Sequence, residues 1–192
     1  MKTREEAWKL LTEHTSNPSL IKHALAVEAA MRHFASKGGH DEEKWGIVGL
    51  IHDFDYEKHP TAEEHPYAGA EILRGMGVDE EIVRAIMSHG NHTGVTRESA
   101  MEKTLFAVDE LCGFIVAVSL VRPSKDVRDV KPKSVVKKLK DKAFARAVNR
   151  EDIKQGFEEL GMERNPFIQE VLTAMSGIAE ELGLAGEGSN DG

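Results

Sequence analysis

Apolar positions along this chain recur at intervals of three and four, and no stretch sustains the alternation of a half-buried strand. The pattern predicts an all-α protein. Thr3 with Glu6 has the form of a capping box, opening a first helix with Trp8 and Leu11 on one face. Asn17 before Pro18 marks a second start. Leu20, Ala24, Val27, Met31 and Phe34 give that helix its apolar face to about Ala35, with His23 beside it, and Gly38-Gly39 ends it. Asp41 caps a third helix, with Glu42 and Glu43 in its first turn and Trp45, Val48 and His52 on one face.

After a polar loop over 55–64, His65-Pro66 opens a fourth helix, with Pro66 at its first position, and Gly77 ends it. Asp79 begins a fifth, from Glu80 to about His89, with Ile82 and Ile86 inward and the loop 90–94 behind it. Ser99 with Glu102 opens a long helix to about Val121, whose buried stripe is Leu105, Val108, Cys112, Ile115 and Ser119. A basic segment with Pro123 and Pro132 leads into a helix from about Ser134 to Val148. Asn149 caps the next, which stops at Gly161, and Asn165-Pro166 starts the last, ended by Gly183. The expectation is one all-α domain over 1–184, with a disordered tail over 185–192, where no apolar content can pack.

Composition adds limits. The 40% hydrophobic and 30% charged content is that of a soluble globular protein, and a net charge of -8 argues against general nucleic-acid binding. The charge is uneven: Arg122 to Arg150 holds 11 basic and 3 acidic residues. One cysteine, Cys112, excludes an internal disulfide and any multi-cysteine zinc site, and fits a reducing compartment. No signal-peptide core stands at the N-terminus, and the apolar run Phe114 to Val121 is far short of the ~20 residues that span a bilayer. The expectation is a soluble cytoplasmic protein with no membrane partner.

The chemistry concentrates at His52-Asp53, which follows the apolar run Ile47-Val48-Gly49-Leu50-Ile51. Burying an imidazole and a carboxylate unpaired there would cost several kcal/mol or so. A divalent metal removes that cost by taking both as ligands. Adjacent helical residues diverge, so further ligands must come from other helices. His23, His65, His89 and Asp109 are polar residues on apolar faces or helix ends. Asp109 has Leu105 and Gly113 four residues away and Phe106 and Cys112 three away. With His52 and Asp53 they make an N/O ligand set from five consecutive helices.

This constellation resembles the HD superfamily of metal-dependent phosphohydrolases, of the HDIG type. The core of that family's motif, H…HD…D, maps onto His23, His52-Asp53 and Asp109, and two intervening histidines of its extended form map onto His65 and His89. The chain from about Asn17 to Leu120 is similar to that domain in helix order, and the whole looks like a predicted-hydrolase branch. The resemblance implies an HD-domain helical bundle with additional C-terminal helices. It also implies one or two divalent transition ions (Mn, Fe, Co, Ni or Zn) bridged by Asp53, with His23, His52 and Asp109 on one side and His65 and His89 on the other. Such ions would lower the pKa of a water to about 7 and make it a nucleophile. The implied substrate is a small phosphorylated molecule, a nucleotide among the candidates, cleaved as a monoester or a diester.

Asp53, His92 and Lys58 are the catalytic candidates, and Arg122, Lys125, Lys133 and Lys137 are candidate phosphate contacts. The 5'-nucleotidases of the superfamily carry an acid where Tyr56 stands, and the cyclic-di-GMP phosphodiesterases carry a His-His pair where His89 is followed by Gly90. The alternatives are a diiron oxygenase of the same superfamily and a non-catalytic nucleotide-binding sensor.

Overall fold

Helix boundaries follow the caps. In the computed structural model, which describes residues 1–186, α1 (Arg4–His14) begins where the Thr3 hydroxyl accepts the amide of Glu6. The Glu6 carboxylate turns to the amide of Lys2 at 2.7 Å, so the expected box does not close on Thr3. Asn17 caps α2 (Pro18–Gly38), which ends at Gly39 with a left-handed φ of 68° that glycine adopts without strain. Asp41 caps α3 (Glu42–Ile51) and Asp79 caps α5 (Glu80–Ser88). Between them α4 (Tyr67–Gly75) begins one residue later than its proline suggested, with Pro66 in the capping position. Ser99 and Glu102 form a complete capping box on α6 (Ala100–Leu120).

The domain is organised around α2, α3 and α6. Gly49 lets α3 lie directly against α2, because a Cβ there would stand 2.9 Å from the Val27 carbonyl oxygen and from Cγ of Met31. The whole expected stripe of α6, from Leu105 to Ser119, is buried, as are Thr104, Phe106, Ala107, Leu111 and Phe114 around it. A helix buried on nearly every side is a central one. Each such leucine, isoleucine or phenylalanine contributes roughly 1.5–3 kcal/mol of burial. The apolar core is continuous from Ala7 to Leu184. No strand occurs among the described residues, only an isolated bridge.

The C-terminal third departs from the helical pattern. Instead of running from Ser134 to Val148, α7 (Pro132–Leu139) stops early, and a loop leads to α8 (Arg150–Glu159) under its Asn149 cap. The Arg150 guanidinium holds that loop. It donates to the carbonyls of Leu139, Asp141, Phe144, Ala145 and Val148, satisfying acceptors that helical bonds would otherwise use. The expected last helix is broken in two, α9 (Arg164–Ser176) and α10 (Ala179–Leu182), at Gly177 and Ile178, where glycine costs about 1 kcal/mol of helix propensity. Ala185, which its sequence puts in a disordered tail, pairs with Asp126, and Arg128 donates to its carbonyl at 2.7 Å. The remainder of that tail, 187–192, lies outside the described residues. No described helix is long and apolar enough to cross a membrane.

Candidate metal centre

The two polar residues after the apolar run leave α3 at its C-terminal end. His52 is fully buried, and its Nδ1–H donates to the Gly49 carbonyl at 2.8 Å. Its Nε2 is buried with no hydrogen-bond partner. That nitrogen stands 3.4 Å from Oδ2 of Asp53 and 3.4 Å from Oδ1 of Asp109. His23, from α2, brings its Nε2 to 2.9 Å from the same Asp109 oxygen and 3.8 Å from Oδ2 of Asp53. These four residues present atoms close enough together to share one ion.

A second group forms on the other oxygen of Asp53. Oδ1 lies 3.2 Å from Nε2 of His65 and 3.3 Å from Nε2 of His89, and those two nitrogens are 3.2 Å apart. His89 donates its Nδ1–H to the Ile86 carbonyl, as His52 does to that of Gly49 three residues back along its own helix. His65 meets Oδ1 of Asp55 through its Nδ1 at 2.9 Å. Histidines held at Nδ1, with Nε2 converging on carboxylates, have the arrangement of metal ligands. Neutral rings held this way turn lone pairs toward one another and toward carboxylate oxygens. A cation between them turns that repulsion into coordination, so the donor set fits a divalent ion.

The same crowding governs the protonation of the cluster. Burial opposes charge on His52, but the carboxylates of Asp53 and Asp109 outweigh it and raise the imidazole well above its ordinary range. For His65 the balance of burial against Asp53 and Asp55 gives a value of about 9. Burial pushes Asp53 and Asp109 up, yet the facing histidines win and hold both carboxyls low. Partial burial, and then the charge of Asp109, raise Glu110 to about 7. Burial pushes the Cys112 thiol up, which keeps it protonated and a poor nucleophile.

The cluster lies in the wall of a cavity of about 510 Å³. Besides the ligand candidates, Tyr56, His92, Phe106, Glu110, Asn149 and Asp152 line it, with Asn91 and two glycines, Gly90 and Gly113. All six residues expected as ligands (His23, His52, Asp53, His65, His89 and Asp109) are thus brought together. His92 reaches the cavity, but its Nε2 meets the carbonyl of His65 at 2.8 Å. The other cationic candidates are placed elsewhere. Lys58 donates to the Glu13 carbonyl, and neither it nor Arg122, Lys125, Lys133 or Lys137 lines the cavity. The basic segment runs through α7, and α8, with its capping Asn149, supplies the cavity wall in its place.

Sequence reading missed Asp55, Glu110, Asn91, Asn149 and Asp152. Asp55 carried a signal: a second acid two residues after Asp53, on the same short loop. The others are ordinary polar residues until α6 and α8 pack together.

Comparison with known proteins agrees with this geometry. Residues 20–113 match the family model of the HD domain. Ribonuclease Y of Oleidesulfovibrio alaskensis is 28% identical over 96 residues, covering 50% of this chain and 18% of that protein. Ribonuclease Y of Thermosipho melanesiensis is 32% identical over 124 residues, covering 64% of this chain and 22% of that protein. The aligned part of this chain thus spans about a fifth of the length of these relatives. No solved structure matches it. All six ligand candidates fall within the matched segment.

Proposed function

We propose that this chain is a metal-dependent phosphohydrolase acting on small phosphomonoesters, with two divalent ions held by His23, His52, Asp53 and Asp109 on one side and by Asp53, His65 and His89 on the other. One observation carries the reading: the two oxygens of Asp53 face separate sets of imidazole nitrogens. The buried Nε2 of His52 supports it, since it has no hydrogen-bond partner and stands 3.4 Å from two carboxylates, where one cation would meet all three. Divalent ions bound there supply charge for the phosphoryl oxygens and a water acidic enough to act near neutral pH.

The rest of the chemistry belongs to the side chains of the cavity. His92, fixed against the His65 carbonyl, and Tyr56 border the space above the ligands. Glu110, next to Asp109 and lining the same cavity, is the protonatable side chain that would give a proton to the departing alcohol. Asp152 holds the opposite wall, accepting from the side-chain amides of Asn91 at 3.0 Å and Asn149 at 2.8 Å. No lysine or arginine lines the cavity among the described residues. A wall of acids and amides suits a leaving group rich in hydrogen-bond donors and repels long polyanions. The relatives are named ribonucleases, so an RNA strand is the competing substrate, and the acidic wall weighs against it.

The test is phosphoester cleavage with added Mn²⁺, Fe²⁺, Co²⁺ or Ni²⁺, on a panel of small phosphomonoesters and on an oligoribonucleotide. Turnover of the monoesters that is lost in Asp53→Asn supports the proposal. Equal activity in that variant removes the metal-dependent mechanism, and preference for the oligoribonucleotide overturns the substrate class. An iron-loaded preparation that consumes O₂ in place of cleaving phosphoesters would establish the oxygenase alternative.

A further inference from the structure

The ligand candidates leave one buried acid unexplained. Asp55 is fully buried, and no arginine or lysine is bonded to its carboxylate. Its two oxygens divide their work. Oδ1 stands 2.9 Å from Nδ1 of His65, and Oδ2 accepts the backbone N–H of Gly69 at 2.9 Å. Residue 69 is glycine for a visible reason: a Cβ there would lie 2.8 Å from Cγ of Asp55. The first turns of α4 and the loop after α3 are therefore built to hold this carboxylate in one place. Its partner, His65, presents the opposite ring nitrogen to Oδ1 of Asp53.

We propose that Asp55 is a positioning residue for the metal site formed by Asp53, His65 and His89: it keeps the proton of His65 on Nδ1 and so keeps the Nε2 lone pair turned to the ion. With Nε2 on the ion, the single proton of a neutral His65 lies on Nδ1, where the Asp55 carboxylate can only accept it. It also stabilises the positive charge that the ring gains on coordination. His52 and His89 rely on backbone carbonyls for the same purpose, which no substitution removes. His65, at the end of a polar loop with no helical carbonyl engaged, uses a side chain. The two candidate sites therefore differ in one respect: among the described residues, only the one with His65 has a histidine held at Nδ1 by a side-chain acid.

This inference rests on the two-ion reading above, and the experiment separates their failures. Asp55→Asn is nearly isosteric. Its amide oxygen can still accept from Gly69, and its NH₂ group then faces His65 and forces the Nε2–H tautomer. Metal content by elemental analysis and Mn²⁺ affinity by calorimetry are measured on wild type and variant, with the melting temperature of both metal-free proteins as a check on folding. The expected result is two ions in wild type, and one retained in Asp55→Asn with the second weakened roughly 10- to 100-fold. Two ions bound with unaltered affinity in the variant would overturn the role of Asp55 while leaving the metal centre intact. A wild type that takes up no ion would overturn both. Should the variant fail to fold, ¹⁵N spectra of the histidines in zinc-loaded wild type decide the matter. A proton on Nδ1 of His65 supports the proposal, and one on Nε2 refutes it.

Discussion

His52 donates its Nδ1–H to the carbonyl oxygen of Gly49, 2.8 Å away and three residues back on the same helix. That bond fixes a fully buried ring so that its other nitrogen faces two carboxylates, 3.4 Å from each and without a hydrogen-bond partner. An ion bound there would remove the mismatch, so metal binding should be coupled to the stability of the fold. At a hundredfold excess over Kd one such ion adds about 2.7 kcal/mol. For a chain of this size that is a rise of roughly 5–10 °C in melting temperature. Scanning calorimetry with and without Mn²⁺, against a chelator control, measures it. His52→Ala should lose most of the shift.

The pH dependence should reverse when metal is bound. His65 is raised from 6.5 to about 9 in the folded protein, with burial opposing and Asp53 and Asp55 favouring its charge. Its contribution to the metal-free protein is fully present below its unfolded pKa near 6.5 and is lost as pH rises toward 9. Metal binding requires the neutral ring, so affinity climbs over the same interval. Urea titrations from about pH 6 to 9 should show falling stability without metal and rising stability with saturating Mn²⁺. Parallel slopes would contradict the assignment of His65 as a ligand.

Gly156 of α8 sits directly on α6, where a Cβ would be 2.5 Å from Cα of Ala107. Backbone cannot yield as a side-chain tip can, so Gly156→Ala must push the two helices apart. A cost of about 1–3 kcal/mol is expected, or a fall of roughly 2–12 °C in melting temperature. Because α8 carries Asp152 into the cavity, the same variant should raise KM.

The basic segment should not matter for turnover. Lys133 and Lys137 lie on α7 and do not line the cavity, and Lys58 is bonded to the Glu13 carbonyl. Charge reversal at Lys133 and Lys137, or Lys58→Ala, should leave catalytic efficiency within about twofold of wild type, since exposed charges act weakly through screened solvent. A roughly tenfold fall in either variant would bring these cations back to the substrate.

Glu110 offers the sharpest test of the cavity's chemistry. Burial and the charge of Asp109 raise its carboxyl to about 7, and the peptide N–H of Asn149 donates to it at 3.2 Å. Glu110→Gln keeps the shape and removes the acidic proton. Turnover of alkyl phosphates should slow by a factor of roughly 10²–10⁴. Aryl phosphates, whose leaving groups need no proton, should be slowed far less. Equal losses on both substrates would exclude a proton-donating role.

Much of the candidate site was legible because its histidines obey local rules. His52 falls one residue after the apolar run of α3, His89 follows the last residue of α5, and both bond a carbonyl of their own helix. Asp109 stood out as an acid on a buried stripe. The helix starts at Asn17, Asp41, Asp79, Ser99 and Asn149 were readable because capping is a contact between near neighbours. The early end of α7 was hidden, since it depends on where the Arg150 guanidinium lands among five carbonyls. Asp55 was visible as a residue but not as a partner of His65 and Gly69, because loop geometry decides which way it turns.

By itself the amino-acid order determined an all-helical chain and a candidate ligand set of imidazoles and carboxylates, because periodicity, capping and the cost of buried charge act over a few residues. Only the tertiary structure decided that Asp53 divides its oxygens between two groups of histidines, and that Glu110 and Asp152, not the lysines of α7, face the space above them. Those relationships join residues tens of positions apart. They exist only once α2, α3, α6 and α8 have packed, and packing depends on the shapes of whole faces, which no local pattern records.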